Sequence, residues 1–370
     1  MKIERTRVYR YELPFRTPLL LPRGALEART GWLLRLEADG GIEGWGEAAP
    51  LPGFSRESEN ETVFELIDCA KRLRDCSLVD AFALRRASTL CSSVSFALET
   101  AVLRLAADHL EIPLRRLIAE HSAETVRICA LVPDLRHDSR RTAWTRSRQG
   151  FAAVKLKVGR DAPAESRATV HATRQAFGPD AALRLDANRA WELAEAVAFA
   201  RETAPYNVDY FEEPTRDWRD LPAFAAASGA RYALDETLQD NKEHLAAMAI
   251  GGECETDTPL GEVLCGAHAW VVKPTLMHFH GLVEWLRAAS STPRIVISGA
   301  YESGVGMSAL VHYAAAISGA EVAVGLDTYA ALDADVLHRR LPLGDPELQV
   351  AALDGPIEVN PDVLEMVWEG

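Results

Sequence analysis

Ala152-Ala153-Val154-Lys155-Leu156-Lys157-Val158-Gly159 is the stretch that decides how this chain of 370 residues folds. It reads as a buried β-strand carrying two lysines. Side chains alternate along a strand, so Lys155 and Lys157 share one face. Two ammonium groups on one side of an apolar strand repel each other and resist desolvation, so they need carboxylates nearby or a functional reason to be there. Those carboxylates follow at regular intervals. Leu183-Arg184-Leu185-Asp186, Val208-Asp209-Tyr210-Phe211-Glu212 and Tyr232-Ala233-Leu234-Asp235 are apolar runs that each end in an acid, and Ala269-Trp270-Val271-Val272-Lys273 ends in a further lysine. A strand, a helix and their loops take about 25–30 residues in a (β/α)8 barrel. The spacings from Lys157 to Asp186, Glu212 and Asp235 fit that repeat.

About half of the chain is apolar (48%) and a quarter charged (25%), enough for a large core and two domains, one of barrel size. A formal net charge of −14 opposes binding to nucleic acid or to an anionic membrane surface, and favours a small-molecule partner. The first residues open directly into a strand-like alternation and no charge-free run approaches the roughly 20 residues that span a bilayer, so a cytoplasmic protein is expected. Cys69, Cys76, Cys91, Cys129, Cys254 and Cys265 form no Cys-x-x-Cys pair and read as buried, reduced thiols. His278 and His280 form an H-x-H pair without a cysteine or acid at ligand spacing, and read as loop or helix-start residues rather than a zinc site. Composition leaves the oligomeric state open.

The N-terminal segment reads as a small α+β unit. Tyr9, Tyr11 and Leu13 alternate with charged residues, and Trp32–Glu37 and Ile42–Glu47 flank the hairpin signal Asp39-Gly40-Gly41, so three antiparallel strands are expected. Arg16–Thr30, punctuated by Pro and Gly, reads as a long loop, and Pro50–Ser55 as a second loop with an apolar tip. Helical periodicity follows over Glu57–Cys76 and again after a Ser92-Ser93 cap, up to Pro113. From Val126 short apolar strands alternate with amphipathic helices: near 126–132, 152–158, 182–186, 208–212, 232–235, 269–273, 294–298 and 321–326. That makes the eight strands of a closed barrel. Gly251-Gly252-Glu253 and Asp257–Gly261 lengthen the unit between Asp235 and Lys273, and the chain after 337 carries no further βα unit and is expected to return to the N-terminal domain.

Sites of such barrels lie at the carboxyl ends of the strands. Asp186, Glu212 and Asp235 end consecutive strands, and three converging carboxylates without soft ligands suit a hard, oxygen-loving cation, Mg2+ by default. Lys157 precedes this trio and Lys273 follows it. A divalent cation gripping a carboxylate, with a lysine crowded by a second lysine, can remove the weakly acidic proton on the adjacent carbon. A structural salt-bridge network would account for any one of these residues, but less easily for all of them on consecutive strands. Two further signals are weaker: Ser303-Gly304-Val305-Gly306 could seat an anion at a helix N-terminus, and Glu213 is turned away from Glu212 by strand alternation.

Lys155-Leu156-Lys157, Leu185-Asp186-Ala187-Asn188-Arg189-Ala190-Trp191, Glu212-Glu213-Pro214, Asp235-Glu236 and Val272-Lys273-Pro274-Thr275 together resemble the enolase superfamily and its muconate-lactonizing subgroup. The resemblance implies an α/β chain, a modified (β/α)8 TIM barrel with an α+β capping domain: residues 1–122, completed by the tail 337–370, would cap a catalytic barrel over 123–336. It implies Asp186, Glu212 and Asp235 as ligands of Mg2+, with Mn2+ a possible substitute, Lys157 as base, Lys155 assisting and Lys273 opposite; use of a lysine base with Mg2+ is a known property of this superfamily. Gly44-Trp45-Gly46-Glu47, Pro50–Ser55 and Gly325-Leu326-Asp327-Thr328 extend the likeness to the o-succinylbenzoate synthase family. That implies dehydration of 2-succinyl-6-hydroxy-2,4-cyclohexadiene-1-carboxylate in menaquinone biosynthesis. Racemases of N-acylamino acids and dipeptide epimerases are the alternative. Dipeptide epimerases carry Asp-x-Asp at the last strand, where this chain reads Asp327-Thr328-Tyr329. A non-catalytic descendant would have lost part of the charged constellation, all of which is present.

Overall fold

A computed structural model describes residues 1–21, 24–84, 90–132, 139–242, 245, 257–277 and 293–370. Near the N-terminus β1 (Ile3–Leu21) pairs antiparallel with β2 (Gly24–Ala38), and β2 with β3 (Glu43–Ala48). Period-2 burial drives this sheet: Ile3, Val8, Tyr11 and Leu13 are buried while Glu4, Glu12 and Pro14 are exposed. The last strand of the chain, β14 (Glu365–Glu369), adds to its other edge along β1, with Arg7 opposite Glu369.

Helix α1 (Glu59–Leu73) starts at a reciprocal cap, Ser58 with Glu61, and α2 (Leu78–Leu84) is a short follower. Helix α3 (Ser92–His109) is buried all round from Ser92 to Ala107. Ser93 does not cap it through its own first turn; its amide and hydroxyl donate to Glu57 at 2.9 and 2.8 Å instead. The helix lies directly on β3 because two glycines let it. A methyl on Gly46 would stand 1.8 Å from the Ala97 carbonyl oxygen, and one on Gly44 2.2 Å from that of Ala101, one helical turn on. Gly46→Ala would push the helix off the sheet and open the core formed by Leu34, Leu36, Leu66, Leu98 and Val102, each contributing about 1.5–3 kcal/mol by burial.

The segment 16–30, expected as a loop, instead extends β1 and β2 over its described residues, 16–21 and 24–30. Pairing resumes at Leu19–Leu26 after a register break between Pro14 and Leu19. Pro14 and Pro18 forbid a continuous ladder but not a bulged one, which the local pattern did not disclose.

A second sheet holds seven parallel strands: β5 (Ala130–Val132), β6 (Ala153–Lys157), β7 (Ala182–Asp186), β8 (Val208–Glu212), β9 (Tyr232–Leu234), β10 (Ala269–Val272) and β11 (Arg294–Ile297). The eighth, β12 (Ala323–Val324), closes the ring. It meets β11 through the Ser298–Gly325 bridge and runs parallel to β4 (Thr125–Ile128), which leads into β5. The expected single strand over 126–132 is thus split at Cys129, whose amide donates to Val324 rather than continuing the ladder of β5. The stretch expected as a strand over 321–326 is paired only at 323–324, besides the Gly325 bridge. β13 (Glu347–Gln349) runs antiparallel to β4.

Cys69 and Cys129 are buried free thiols, Cys76 and Cys91 are half-buried and free. Cys265 is disulfide-bonded, against expectation; pairing depends on approach in space, which spacing does not report. His278, His280, Cys254 and 251–253 lie outside the described residues. Among the described residues no helix is long and apolar enough to cross a membrane.

Candidate active site

The carboxyl ends of β6 to β10 carry Lys155, Lys157, Asp186, Glu212, Asp235 and Lys273, the charged row singled out in the sequence. Register sets the row: Lys157 pairs with Asp186 and Asp186 with Glu212 across adjacent strands. Asp186, Glu212 and Asp235 are fully buried. Lys155 Nζ lies 2.8 Å from Asp186 Oδ2 and 2.7 Å from Glu212 Oε1, and Lys157 Nζ donates to Asp186 Oδ2 and to Asn188 Oδ1, both at 2.6 Å. Lys273 Nζ reaches Asp235 Oδ2, whose other oxygen accepts from Gln239 at 2.7 Å. The lysines therefore stand between the acids, which do not meet at one point. Among the described residues no three acidic, His or Cys side chains form a ready ligand set.

The charges nevertheless leave room for a cation. Asp186, Glu212 and Asp235 pair with Lys155, Lys157 and Lys273, Glu236 accepts from Asn188, and Glu212 Oε2 and Glu236 Oε2 are buried without a hydrogen-bond partner. Burial and then the neighbouring Asp186 and Asp235 raise the Glu212 carboxyl well above its ordinary value. Burial, Asp235 and Glu213 push Glu236 up to about 7. Asp186 moves the other way: burial opposes its charge, but Lys155 and Lys157 hold it far below the carboxylate range. Burial also works against the Lys155 ammonium, yet Asp186 and Glu212 outweigh it and its pKa stands well above normal, so it acts as a fixed positive charge. An acid surplus with an orphaned carboxylate oxygen fits a hard divalent cation.

Glu213 is more than a neighbour turned aside. Its buried carboxylate accepts from the amides of Asp235 and Thr237 at 2.8 and 2.7 Å and from Arg189, so it fixes the end of the next strand. It has φ 43°, and Asn188, Arg189 and Tyr301 are also left-handed. Such strained positions gather at functional sites.

Lys157 on β6 and Lys273 on β10 are four strands apart in a ring of eight, so they oppose each other across the mouth. Between them lies a cavity of about 340 Å³. Its roof comes from the other domain: Arg16–Leu21 of β1, with Leu51 and Phe54. The strand is fastened by Phe15, paired with Leu332 and edge-on to Tyr301 at 5.6 Å.

Residues 138–361 match the family described as enolase C-terminal domain-like, and residues 3–105 the MenC N-terminal domain. The o-succinylbenzoate synthase of Citrobacter koseri is 31% identical over 339 residues, 90% of this chain and 93% of that one. The chain belongs to the enolase superfamily and, within it, to the o-succinylbenzoate synthase family. A second family member, from Klebsiella pneumoniae, is 29% identical over 94% of this chain and 98% of its own. Among solved structures, a dipeptide epimerase from Enterococcus faecalis complexed with Mg and L-Leu-L-Tyr aligns with TM-score 0.81 at 20% identity, over 99% of this chain and all of that one. Divalent metal use is thus at home in the superfamily.

Reading the sequence for this family missed Asn188, Gln239 and Glu236 as partners of the charged row, although Asn188 and Glu236 stand inside the quoted motifs. It also left open what Ser303–Gly306 holds. The anion there is internal: Glu47 of β3 accepts from the amides of Ser303 and Gly306 at 2.8 and 2.7 Å and from Ser303 Oγ.

Proposed function

We propose that the chain converts 2-succinyl-6-hydroxy-2,4-cyclohexadiene-1-carboxylate to o-succinylbenzoate, the dehydration of menaquinone biosynthesis, as a carbon–oxygen lyase. The observation that carries the reading is the lysine pair: Lys157, steadied by Asp186 and Asn188, on one side of a roofed cavity and Lys273 on the other. Asp186, Glu212 and Asp235 would hold Mg2+, or Mn2+ in its place, which would supply a Lewis acid to the substrate's ring carboxylate.

Lys157 takes the proton from the ring carbon that bears the carboxylate. The electron pair left behind adds negative charge to that carboxylate, which the ammonium groups of Lys155 and Lys273 oppose. The pair then returns to the ring as the neighbouring C–O bond breaks, and the proton on Lys157 leaves with the hydroxyl as water. Aromatisation drives this second half, so the chain's residues need only lower the barrier of the first. The roof of Leu19, Leu21, Leu51 and Phe54 keeps bulk water off the reacting carbon.

Racemisation of N-acylamino acids is the second reading, because two lysines facing each other could serve both faces of one carbon. The two separate in D2O. We expect rapid dehydration of the cyclohexadiene substrate, abolished by Lys157→Ala, with little deuterium entering an N-succinylamino acid. Fast exchange in which Lys157→Ala and Lys273→Ala each silence one enantiomer, without dehydration, would replace the dehydratase by the racemase. Removal of metal by a chelator should end turnover and Mg2+ or Mn2+ should restore it; full turnover after exhaustive chelation would reject the metal role. Further parts of the proposal are a cytoplasmic location, suited to a charged metabolite, and a division into a cap (1–122 with 337–370) and a catalytic barrel (123–336), favoured by the pairing of β14 with β1.

A further inference from the structure

The substrate proposed above carries two carboxylates, and the lysine row answers only the one on the ring. The second ends a succinyl arm several bonds away. The ring of strands says where that arm goes. β12 is four strands from β8 in either direction, so the residues that follow β12 face Glu212 across the mouth. There Asp327 is buried, with one oxygen accepting from the Leu131 amide at 2.8 Å and the other from Arg146 Nη2 at 2.6 Å. Arg146 belongs to the helix Ser139–Arg148 after β5, and lies over the Phe151 ring at 5.3 Å. Its side chain is 17% exposed. Both residues line the cavity, and beside them Thr328 presents a buried hydroxyl oxygen with no partner.

This arrangement has a definite charge. A lone buried aspartate there would receive an ammonium group. Arg146 cancels it, and one N–H to Asp327 and one, at 3.2 Å, to Gln149 leave other guanidinium N–H groups of the five uncommitted. Two other arginines line the cavity, but Arg16 is 55% exposed and paired with Asp333 at the rim, and Arg160 is exposed. Solvent screens both more than it screens Arg146.

We propose that Arg146, held in place by Asp327 and assisted by the Thr328 hydroxyl, binds the carboxylate of the acyl arm and so selects substrates whose arm ends in an anion. The assignment rests on the dehydratase reading. Arg146 touches no reacting atom. It is a specificity-determining residue, and its loss should appear in KM rather than in kcat.

The test uses the full-length enzyme with Mg2+, dehydration kinetics, and calorimetric binding of o-succinylbenzoate and o-butyrylbenzoate, whose arm lacks the carboxylate. Wild type should prefer the first ligand. Arg146→Met should raise KM about 10- to 100-fold with kcat nearly unchanged, the range expected for a lost charged hydrogen bond, and should bind both ligands alike. Arg146→Lys should recover part of the preference. Because Arg146→Met uncovers Asp327, the double variant Arg146→Met/Asp327→Asn guards against misfolding and should also bind both alike. A wild type that neither dehydrates nor binds overturns the dehydratase reading. An active wild type whose preference survives in the folded double variant overturns the role of Arg146 alone, as would a preference lost in Arg160→Met or Arg16→Met instead.

Discussion

One strand, β8, carries an acid at each end, and the two live in opposite circumstances. At the mouth, Glu212 is fully buried, one of its oxygens has no partner, and its carboxyl is pushed up. At the floor, Asp209 is ringed by basic side chains: Arg184 and Arg294 at 3.3 Å and Arg231 at 3.7 Å, with the imidazole Nε2 of His268 at 3.5 Å. Burial works against the Asp209 charge, but His268, Arg184 and Arg294 hold its carboxyl at about 2. A structural ion network is thus present in this barrel, at the end where chemistry is not expected, and in it the arginines outnumber the acid they surround. The mouth has the inverse balance, four acids against three lysines. The difference separates charge that stabilises a fold from charge kept in tension for a ligand.

Substitution at the two ends should break the molecule in different ways. The largest effect is expected at the mouth: Asp186→Asn, Glu212→Gln and Asp235→Asn should each cost about 10²-fold or more in turnover while the fold persists. Glu212→Gln should even raise the melting temperature of the metal-free protein, since it removes a carboxylate whose charge is opposed by burial and by two neighbours. Loss of structure in all three variants would make the mouth a second floor. Asp209→Asn should do the reverse and leave kcat within a few-fold. It strands the buried Arg184 and should cost about 3 kcal/mol in a denaturant titration.

Acid should sharpen the contrast. Asp209 titrates near 2 folded against 3.8 unfolded, so its folded pKa is depressed. Its contribution of about 2 kcal/mol is present above pH 4 and lost as the pH falls from 4 to 2. Stability measured across that window should fall less steeply in Asp209→Asn than in wild type, and equal slopes would show that the surrounding basic groups do not hold the charge. The smallest effect concerns the roof: Leu21→Ala and Phe54→Ala, each removing about 1 kcal/mol of apolar contact, should raise KM roughly fivefold with little change in kcat.

The mouth was legible in the sequence and the floor was not, for one reason. Lys157, Asp186, Glu212, Asp235 and Lys273 each stop an apolar run at its carboxyl end, so polarity and position coincide. Asp209 and Arg184 sit within such runs, and Arg231, His268 and Arg294 precede or begin theirs, where charged residues are ordinary. The eight-fold repeat was readable because its strands are apolar and evenly spaced, yet the break at Cys129 was not, since one chain direction serves two sheets there. Arg16–Thr30 misled because Pro14 and Pro18 look like loop punctuation, whereas pairing with β2 absorbs them in a bulge. Arg146 and Asp327 are separated by 181 positions, and only the closed ring brings them together. Glu213 escaped because its role belongs to backbone amides just past the end of the next strand, those of Asp235 and Thr237.

Glu47 gives the two domains a shared part. Its carboxylate fills the amino end of helix Gly304–Tyr313, where a free anion would otherwise sit, and its oxygens leave no amide of Ser303 or Gly306 open. The cap is therefore a component of the barrel rather than an accessory to it. Grafting a cap from another family member onto this barrel requires that the incoming sheet bring an acid to this position.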